Sequence, residues 1–472
     1  MKLTKIVATL GPASSSPEMM AKMIREGCNV MRINFSHGGH DEVRKIIAGI
    51  RQTDAELGTN TAILADLQGP KIRTGVMAGE GAELITGKEI AISTEEGQGT
   101  AERIFTNYKQ LPTDVKPGEK ILIDDGKIEL EILSTNGKNE VKTKILFGGK
   151  LTSKKGINLP NTKISLPCLT EKDLADLAVA LDEEVDWIGL SFVRNANDIK
   201  ELQSLIRKRD KHARVVAKIE KPEAISDIDS IISATDAVMI ARGDLGVEVP
   251  MQKVPMLQKE IIKKCLAKAR PVIVATQMME SMVTNNTPTR AEVNDVANAV
   301  MDGADAVMLS GETSVGRHPD KVIAAMSRII EEVEKYTGIY HHEQVPEDVS
   351  EDRFITDSIC FNACRLAKRV SAKAIITMTH SGYTAIKVSS QRPRTDIFVF
   401  TANKKILSMM SLVWGVRSFH YDKMVSTDHT IADIKYILRK SRVIESGDLI
   451  INIASMPISE MGMSNMIKLS RV

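Results

Sequence analysis

Short runs of apolar residues recur along the first two-thirds of the chain, and most of them end abruptly in charge or a hydroxyl. Val215-Val216-Ala217 leads into Lys218-Ile219-Glu220, and Ala237-Val238-Met239-Ile240-Ala241 leads into Arg242-Gly243-Asp244. Continuous apolar runs of this length fit strands buried on both faces of a parallel sheet. Eight are predicted, over 5–10, 29–35, 61–68, 186–193, 214–220, 237–241, 271–277 and 306–310. Between most of them the apolar residues return at helical spacing, over 17–26, 42–57, 172–184, 199–209, 252–268 and 290–301. Eight strand-then-helix units predict a (β/α)8 TIM barrel, whose chemistry gathers at the C-terminal ends of its strands.

The period breaks once. From residue 69 to about 167 there is no amphipathic helix, only β-like runs (89–93, 120–123, 128–133, 140–145) cut by turns such as Asp125-Gly126 and Asn136-Gly137. A small β-barrel domain inserted after the third strand is expected here, placed to act as a lid over the rim. Residues 336–352 are polar and read as a linker, the His341-His342 pair having no third metal ligand nearby. From Arg353 a helix (353–368) and strands at 374–379, 397–400, 416–421, 449–454 and 466–469 predict an open, mostly parallel, Rossmann-like sheet. The expected division is a catalytic barrel (1–69 and 168–340), a lid (70–167) and a C-terminal α/β domain (341–472).

Composition narrows the partners. Lys and Arg number 63 against 61 Asp and Glu, and a formal charge of +2 gives no support for nucleic acid or an anionic membrane. No apolar stretch reaches membrane-spanning length, and the N-terminus lacks a signal-peptide pattern. Five scattered cysteines without a CxxC read as reduced thiols, so a cytoplasmic protein is expected.

The strand ends carry Arg32, Asn34, Ser36, Asp66, Lys218, Glu220, Asp244, Thr276, Ser310 and Glu312. Packing does not call for so many polar groups on one rim. Glu220 and Asp244 with Lys218 beside them make a candidate Mg²⁺ site with an anion-stabilising ammonium, against the plainer reading of a strand-end ion pair. Farther on, the strand at 374–379 runs into His380-Ser381-Gly382-Tyr383-Thr384, where hydroxyls and free N–H groups at a helix start suit a phosphate, or ordinary capping.

Several longer motifs resemble the pyruvate kinase family. They are Val30-Met31-Arg32-Ile33-Asn34-Phe35-Ser36-His37-Gly38, Lys218-Ile219-Glu220 and Ala241-Arg242-Gly243-Asp244-Leu245-Gly246-Val247-Glu248. Ala275-Thr276-Gln277-Met278, Pro288-Thr289-Arg290-Ala291-Glu292 and Met308-Leu309-Ser310-Gly311-Glu312-Thr313 follow in the same order. The resemblance implies phosphoryl transfer from phosphoenolpyruvate to ADP, giving pyruvate and ATP. It implies that Glu220 and Asp244 hold Mg²⁺ or Mn²⁺ and that Lys218 neutralises the phosphoryl group in flight. Gly243, Asp244 and Thr276 receive the substrate carboxylate, Thr276 relays a proton through water, and Arg32 and Arg73 grip phosphate oxygens. For the nucleotide it implies Asn34, Phe35, Ser36, His37, Arg73 and the lid residue Lys155.

Many members hold K⁺ with groups equivalent to Asn34, Ser36, Asp66 and Leu67, and carry a glutamate where this chain reads Lys71 in Asp66-Leu67-Gln68-Gly69-Pro70-Lys71. An ammonium and K⁺ at short range repel, so Lys71 is expected to replace the monovalent cation. Thr379, His380, Ser381, Gly382, Tyr383 and Thr384 resemble the loop that binds the phosphate of an allosteric activator, a sugar phosphate or a nucleotide, with Tyr383 where some members place an arginine. The family also implies a homotetramer. Two competing readings keep the barrel: a metal-dependent aldolase or lyase acting on a pyruvate enolate, and an effector-binding relic without turnover.

Overall fold

The apolar runs find one another in sequence order. In the computed structural model, which describes residues 2–36, 38–346, 349, 353–423, 426–457 and 462–472, eight strands close into a parallel barrel. They are Lys5–Thr9, Val30–Asn34, Ala62–Asp66, Trp187–Leu190, Arg214–Ile219, Ala237–Ala241, Val272–Ala275 and Ala306–Leu309, the last pairing with the first. Helices flank them, and their starts are written in the sequence. Thr170 and Thr289 each close a capping box, with Asp173 and Glu292, at the heads of Glu171–Asp182 and Arg290–Asp302. Pro222–Ser226 and Ile228–Ala234 are too short to leave a periodic signal, and they fill the connection after the fifth strand.

Alternation along the strands sends side chains into two cores. Ile6, Ala8, Met31, Ile33, Val215 and Ala217 pack under the surrounding helices. Their neighbours Val7, Val30, Leu64, Trp187, Val216 and Met239 form a cluster continuous with Cys360, Ile375 and Val413 of the C-terminal region. The indole N–H of Trp187 donates to the carbonyl of Met409 at 3.3 Å. The barrel floor and the second α/β unit therefore share one apolar core.

The insertion is built of β-strands around its own core of Ile90, Leu130, Val141 and Ile145. The expected small barrel is instead a six-stranded sheet with a separate pair, Ala82–Leu84 with Gly149–Leu151. Its end strands, Ile157–Asn158 and Arg103–Phe105, have only two and three residues, too few to pair the edges into a closed ladder. The C-terminal sheet runs in the order Val416–His420, Asp396–Thr401, Ala374–Met378, Leu449–Ala454, Met466–Arg471, parallel except at the last strand. All five cysteines are buried free thiols. Among the described residues no helix is long and apolar enough to cross a membrane.

Candidate active site

The rim is organised around a buried ammonium. Lys218, one residue before the end of its strand, points into the mouth with 11% of its side chain exposed. Its Nζ lies 2.9 Å from Oε1 of Glu220 and donates to the Ser191 hydroxyl at 2.7 Å. Asp66 Oδ1 stands 3.2 Å away, a charge contact that is not aligned as a hydrogen bond. Burial alone would push the lysine down, but Asp66 and then Glu220 hold it above the ordinary lysine value. Asp66 would rise on burial, yet Lys218 and Arg32 together keep it below the usual carboxylate range. Arg32 grips that carboxylate with two nitrogens, at 2.7 and 2.6 Å, and the Thr9 hydroxyl at 2.9 Å.

Glu220 behaves differently. Burial raises its pKa, Lys218 opposes, and the nearby charge of Asp244 raises it further, so its carboxyl stands above the usual range. Asp244 is set not on a strand end but in the helix Arg242–Glu248 that follows the sixth strand. Ile219 pairs with Ile240, which leaves Glu220 and Asp244 above adjacent strands. Two carboxylates that disfavour each other's charge are a site for a cation. Among the described residues no group of three or more His, Cys, Asp or Glu side chains could hold a metal ion. The pair therefore fits Mg²⁺, which takes one or two carboxylates and completes its octahedron with water and substrate oxygens, better than an ion that needs an all-protein cage.

Thr276 lies on the next connection in left-handed backbone, φ +77°, followed by Gln277 at +55°. A β-branched residue is strained there. Arg242 holds the turn, donating to the carbonyls of Ala275 at 3.2 Å and Thr276 at 2.7 Å, and is itself fixed by Asp295 at 2.6 and 2.7 Å. The approach of Gly243 is so close that a Cβ there would meet Cγ2 of Thr276 at 2.8 Å. Arg242 and Asp295 escaped the sequence reading, although Arg242 sits inside a motif it singled out. Glu312, counted there with the reactive rim, is a structural carboxylate: it is fully buried and accepts the N–H groups of Met279 and Ser310 at 3.1 and 2.6 Å.

Between rim and lid lies a cleft of about 420 Å³, lined by Lys71, Arg73, Lys155, Phe192, Lys221 and Asp244 among others. Lys155 pairs with Asp124 at 2.9 Å, and this contact holds the aspartate below its ordinary pKa. Arg73 donates to the carbonyl of Lys154 at 3.2 Å. The Lys71 side chain runs beside Gly156 of the lid, its Cε 3.9 Å from where a Cβ on that glycine would stand. The Asp66 carboxylate is left to Arg32 and Lys218.

Comparison with known proteins decides the family. Residues 1–323 match the family described as "Pyruvate kinase, barrel domain", and residues 357–470 match "Pyruvate kinase, alpha/beta domain". The chain belongs to the pyruvate kinase family. It is 41% identical over 464 residues to a pyruvate kinase of Corynebacterium glutamicum, covering 98% of this chain and 96% of that one. It is 41% identical over 468 residues to that of Geobacillus stearothermophilus, covering 98% and 79%. A crystal structure of a pyruvate kinase from Cryptosporidium parvum superposes with a TM-score of 0.93 at 34% identity, over 100% of this chain and 96% of that one. The reaction is transfer of phosphoryl from phosphoenolpyruvate to ADP, giving pyruvate and ATP. The aldolase, lyase and relic readings fall with it.

Of the nucleotide positions inferred from the pyruvate kinase resemblance, His37 lies outside the described residues. Asn34 accepts the Ser36 N–H at 3.0 Å, and Phe35 is buried with its carbonyl on Lys172 at 2.6 Å. The Leu67 carbonyl accepts the Ser191 hydroxyl at 2.7 Å. Far below, Thr379 to Thr384 line a cavity of about 330 Å³ with Arg353 and Ser464. Gly382 caps the helix Tyr383–Ser390 at φ +83° and donates to the Thr379 hydroxyl at 3.0 Å. Tyr383 is spoken for: its hydroxyl donates to Asp357 at 2.8 Å and the Arg353 guanidinium lies 4.0 Å over its ring. The carbonyl of Ser381 accepts from Arg214, the first residue of the strand that ends at Lys218 and Ile219.

Proposed function

We propose that the phosphoryl transfer is carried by positioning and charge neutralisation at this rim, with little covalent help from the protein. Lys218 neutralises the phosphoryl oxygens during transfer, and the observation that carries this role is its ammonium, anchored between Asp66, Glu220 and the Ser191 hydroxyl at the barrel mouth. Glu220 and Asp244 hold Mg²⁺ or Mn²⁺; when bound, the ion supplies positive charge against the substrate carboxylate and the developing enolate. Gly243, Asp244 and the Thr276 hydroxyl receive that carboxylate, and Thr276 passes a proton through water to the enolate carbon. Arg32 and Arg73 orient phosphate oxygens. Asn34, Phe35, Ser36, His37, Arg73 and Lys155 meet ADP, so that lid and barrel hold opposite ends of the reacting pair.

The test is ADP-dependent pyruvate formation by Lys218→Met. Loss of a cation from a phosphoryl transition state costs on the order of 10³–10⁵ in rate, so kcat is expected to fall that far while phosphoenolpyruvate still binds. A variant within about tenfold of the parent would overturn the role.

K⁺ is not required in this reading. Three of the four oxygens inferred for it are already engaged: Asn34 by Ser36, Leu67 by Ser191, and Asp66 by Arg32 and Lys218. Lys71 adds a further ammonium to the cleft. Rates with Mg²⁺ in K⁺-free buffer are expected to change by less than about twofold when K⁺ is added, and a large K⁺-dependent rise defeats the reading. The loop Thr379 to Thr384 binds the phosphate of a sugar-phosphate or nucleotide activator, an assignment supported by its hydroxyls and by the cavity they line. The enzyme is a homotetramer in this reading, by likeness to its family.

A further inference from the structure

Behind the two carboxylates assigned to the divalent ion lies a second charge pair that the reaction as divided above does not use. Lys221 follows Glu220 directly, and Glu248 ends the helix Arg242–Glu248 that carries Asp244. Their side chains meet at 2.6 Å, Nζ to Oε1, with 8% and 0% exposed. Charges removed so fully from water return little net stability, because desolvation offsets the attraction. A buried pair in this place calls for another reason.

The surroundings supply one. The same Oε1 accepts a hydrogen bond at 2.8 Å from Nδ2 of Asn158, which belongs to the lid strand Ile157–Asn158. The other oxygen of Glu248 is buried and finds no partner among the described residues. The Phe192 ring lies 6.0 Å from Lys221 Nζ, and the N–H of Phe192 donates to Oε2 of Glu220 at 2.8 Å. The pair thus ties together the two segments that bear Glu220 and Asp244, and one lid side chain rests on it.

We propose that Lys221, Glu248 and Asn158 form a latch joining lid position to divalent-ion binding. All three are positioning residues. The ion pair sets the spacing of Glu220 and Asp244, and Asn158 makes that spacing depend on where the lid sits. Linkage then requires that an ion favouring the latched arrangement also draw in the lid, and that the lid return the same factor in ion affinity. The proposal rests on the assignment of Glu220 and Asp244 as the ion's ligands.

The experiment uses Mn²⁺ on the full-length enzyme without substrates. Affinity is read by titration calorimetry, and the lid stem by amide hydrogen exchange over residues 151–159. In the parent, Mn²⁺ is expected to slow exchange in that stem. In Asn158→Ala the slowing disappears and Mn²⁺ affinity falls roughly tenfold, the size of one hydrogen bond to a charged group. The double variant Lys221→Met with Glu248→Leu leaves no lone buried charge, and it is expected to lose the same lid response. Unchanged Mn²⁺ affinity and lid response in both variants, whatever happens to their melting temperatures, overturns the latch. Glu220→Gln separates the two failures. If it loses Mn²⁺ while Asn158→Ala behaves as the parent, the latch alone is wrong; if Glu220→Gln binds Mn²⁺ undiminished, the ion assignment fails and the latch with it.

Discussion

Gly243 is where a single hydrogen atom in place of a methyl group holds the site open. Its missing Cβ would stand 2.8 Å from Thr276 Cγ2, inside any tolerable contact, and Thr276 already sits in strained left-handed backbone. Gly243→Ala must therefore push Thr276 outward. Steady-state kinetics are expected to show kcat/KM for phosphoenolpyruvate down by about 10²-fold, the cost of misplacing a positioning group by about an ångström, while the melting temperature moves little. At this scale the sequence showed the types of the reactive residues well. Lys218, Glu220 and Asp66 all stood at the ends of apolar runs, where a charge has no packing reason to be. Arg242 and Asp295 stayed hidden because their partner across the fold, the backbone of Thr276, leaves no mark in sequence.

At the scale of elements, the barrel strands and their capped helices follow from local pattern, but what joins them to the C-terminal unit does not. Arg392, just past the helix Tyr383–Ser390, is inserted under the barrel with 1% of its side chain exposed. It meets Asp305 at 3.0 Å, donates to the Gly303 carbonyl at 2.8 Å, and lies 4.8 Å from the Trp414 ring. Arg392→Leu leaves Asp305 buried without its counter-charge, a change that typically costs about 3–5 kcal/mol. Denaturant unfolding is expected to show that loss, and pairing it with Asp305→Asn should recover part. The insertion teaches the same lesson. Alternation announced its strands, whereas whether they close into a barrel depended on end strands of two and three residues.

For the molecule as a whole, the shared core has a titration consequence. Lys5 begins the first barrel strand, is buried, and donates to the Val416 carbonyl of the C-terminal sheet at 2.8 Å. Burial pushes its pKa down, Lys2 and Arg417 push further, and Glu334 and Asp305 oppose, leaving it at about 7 against an ordinary 10.5. Between those values the unfolded chain holds a proton that the folded one does not. Stability from this group therefore rises with pH across that window and is lowest, and flat, below it. Thermal unfolding from about pH 7 to about pH 9 is expected to give the parent a more positive slope than Lys5→Met, by at most roughly 1.4 kcal/mol per pH unit. Equal slopes would mean that Lys5 keeps its charge in the interface.

By itself the chain determined its strand-and-helix rhythm, the point at which the lid is inserted, and the residue types at the rim. Each of these depends on spacings of a few residues, which hydrophobicity and capping read locally. Tertiary structure alone decided that Lys218 is shared by Asp66 and Glu220, that Asp244 rides a helix and not a strand end, and that Glu312 is spent on backbone N–H groups. It also decided that Asn158 reaches Glu248 across 90 residues of sequence. Such contacts depend on distances between segments remote in the chain, and only closure of the barrel and docking of the lid set those distances.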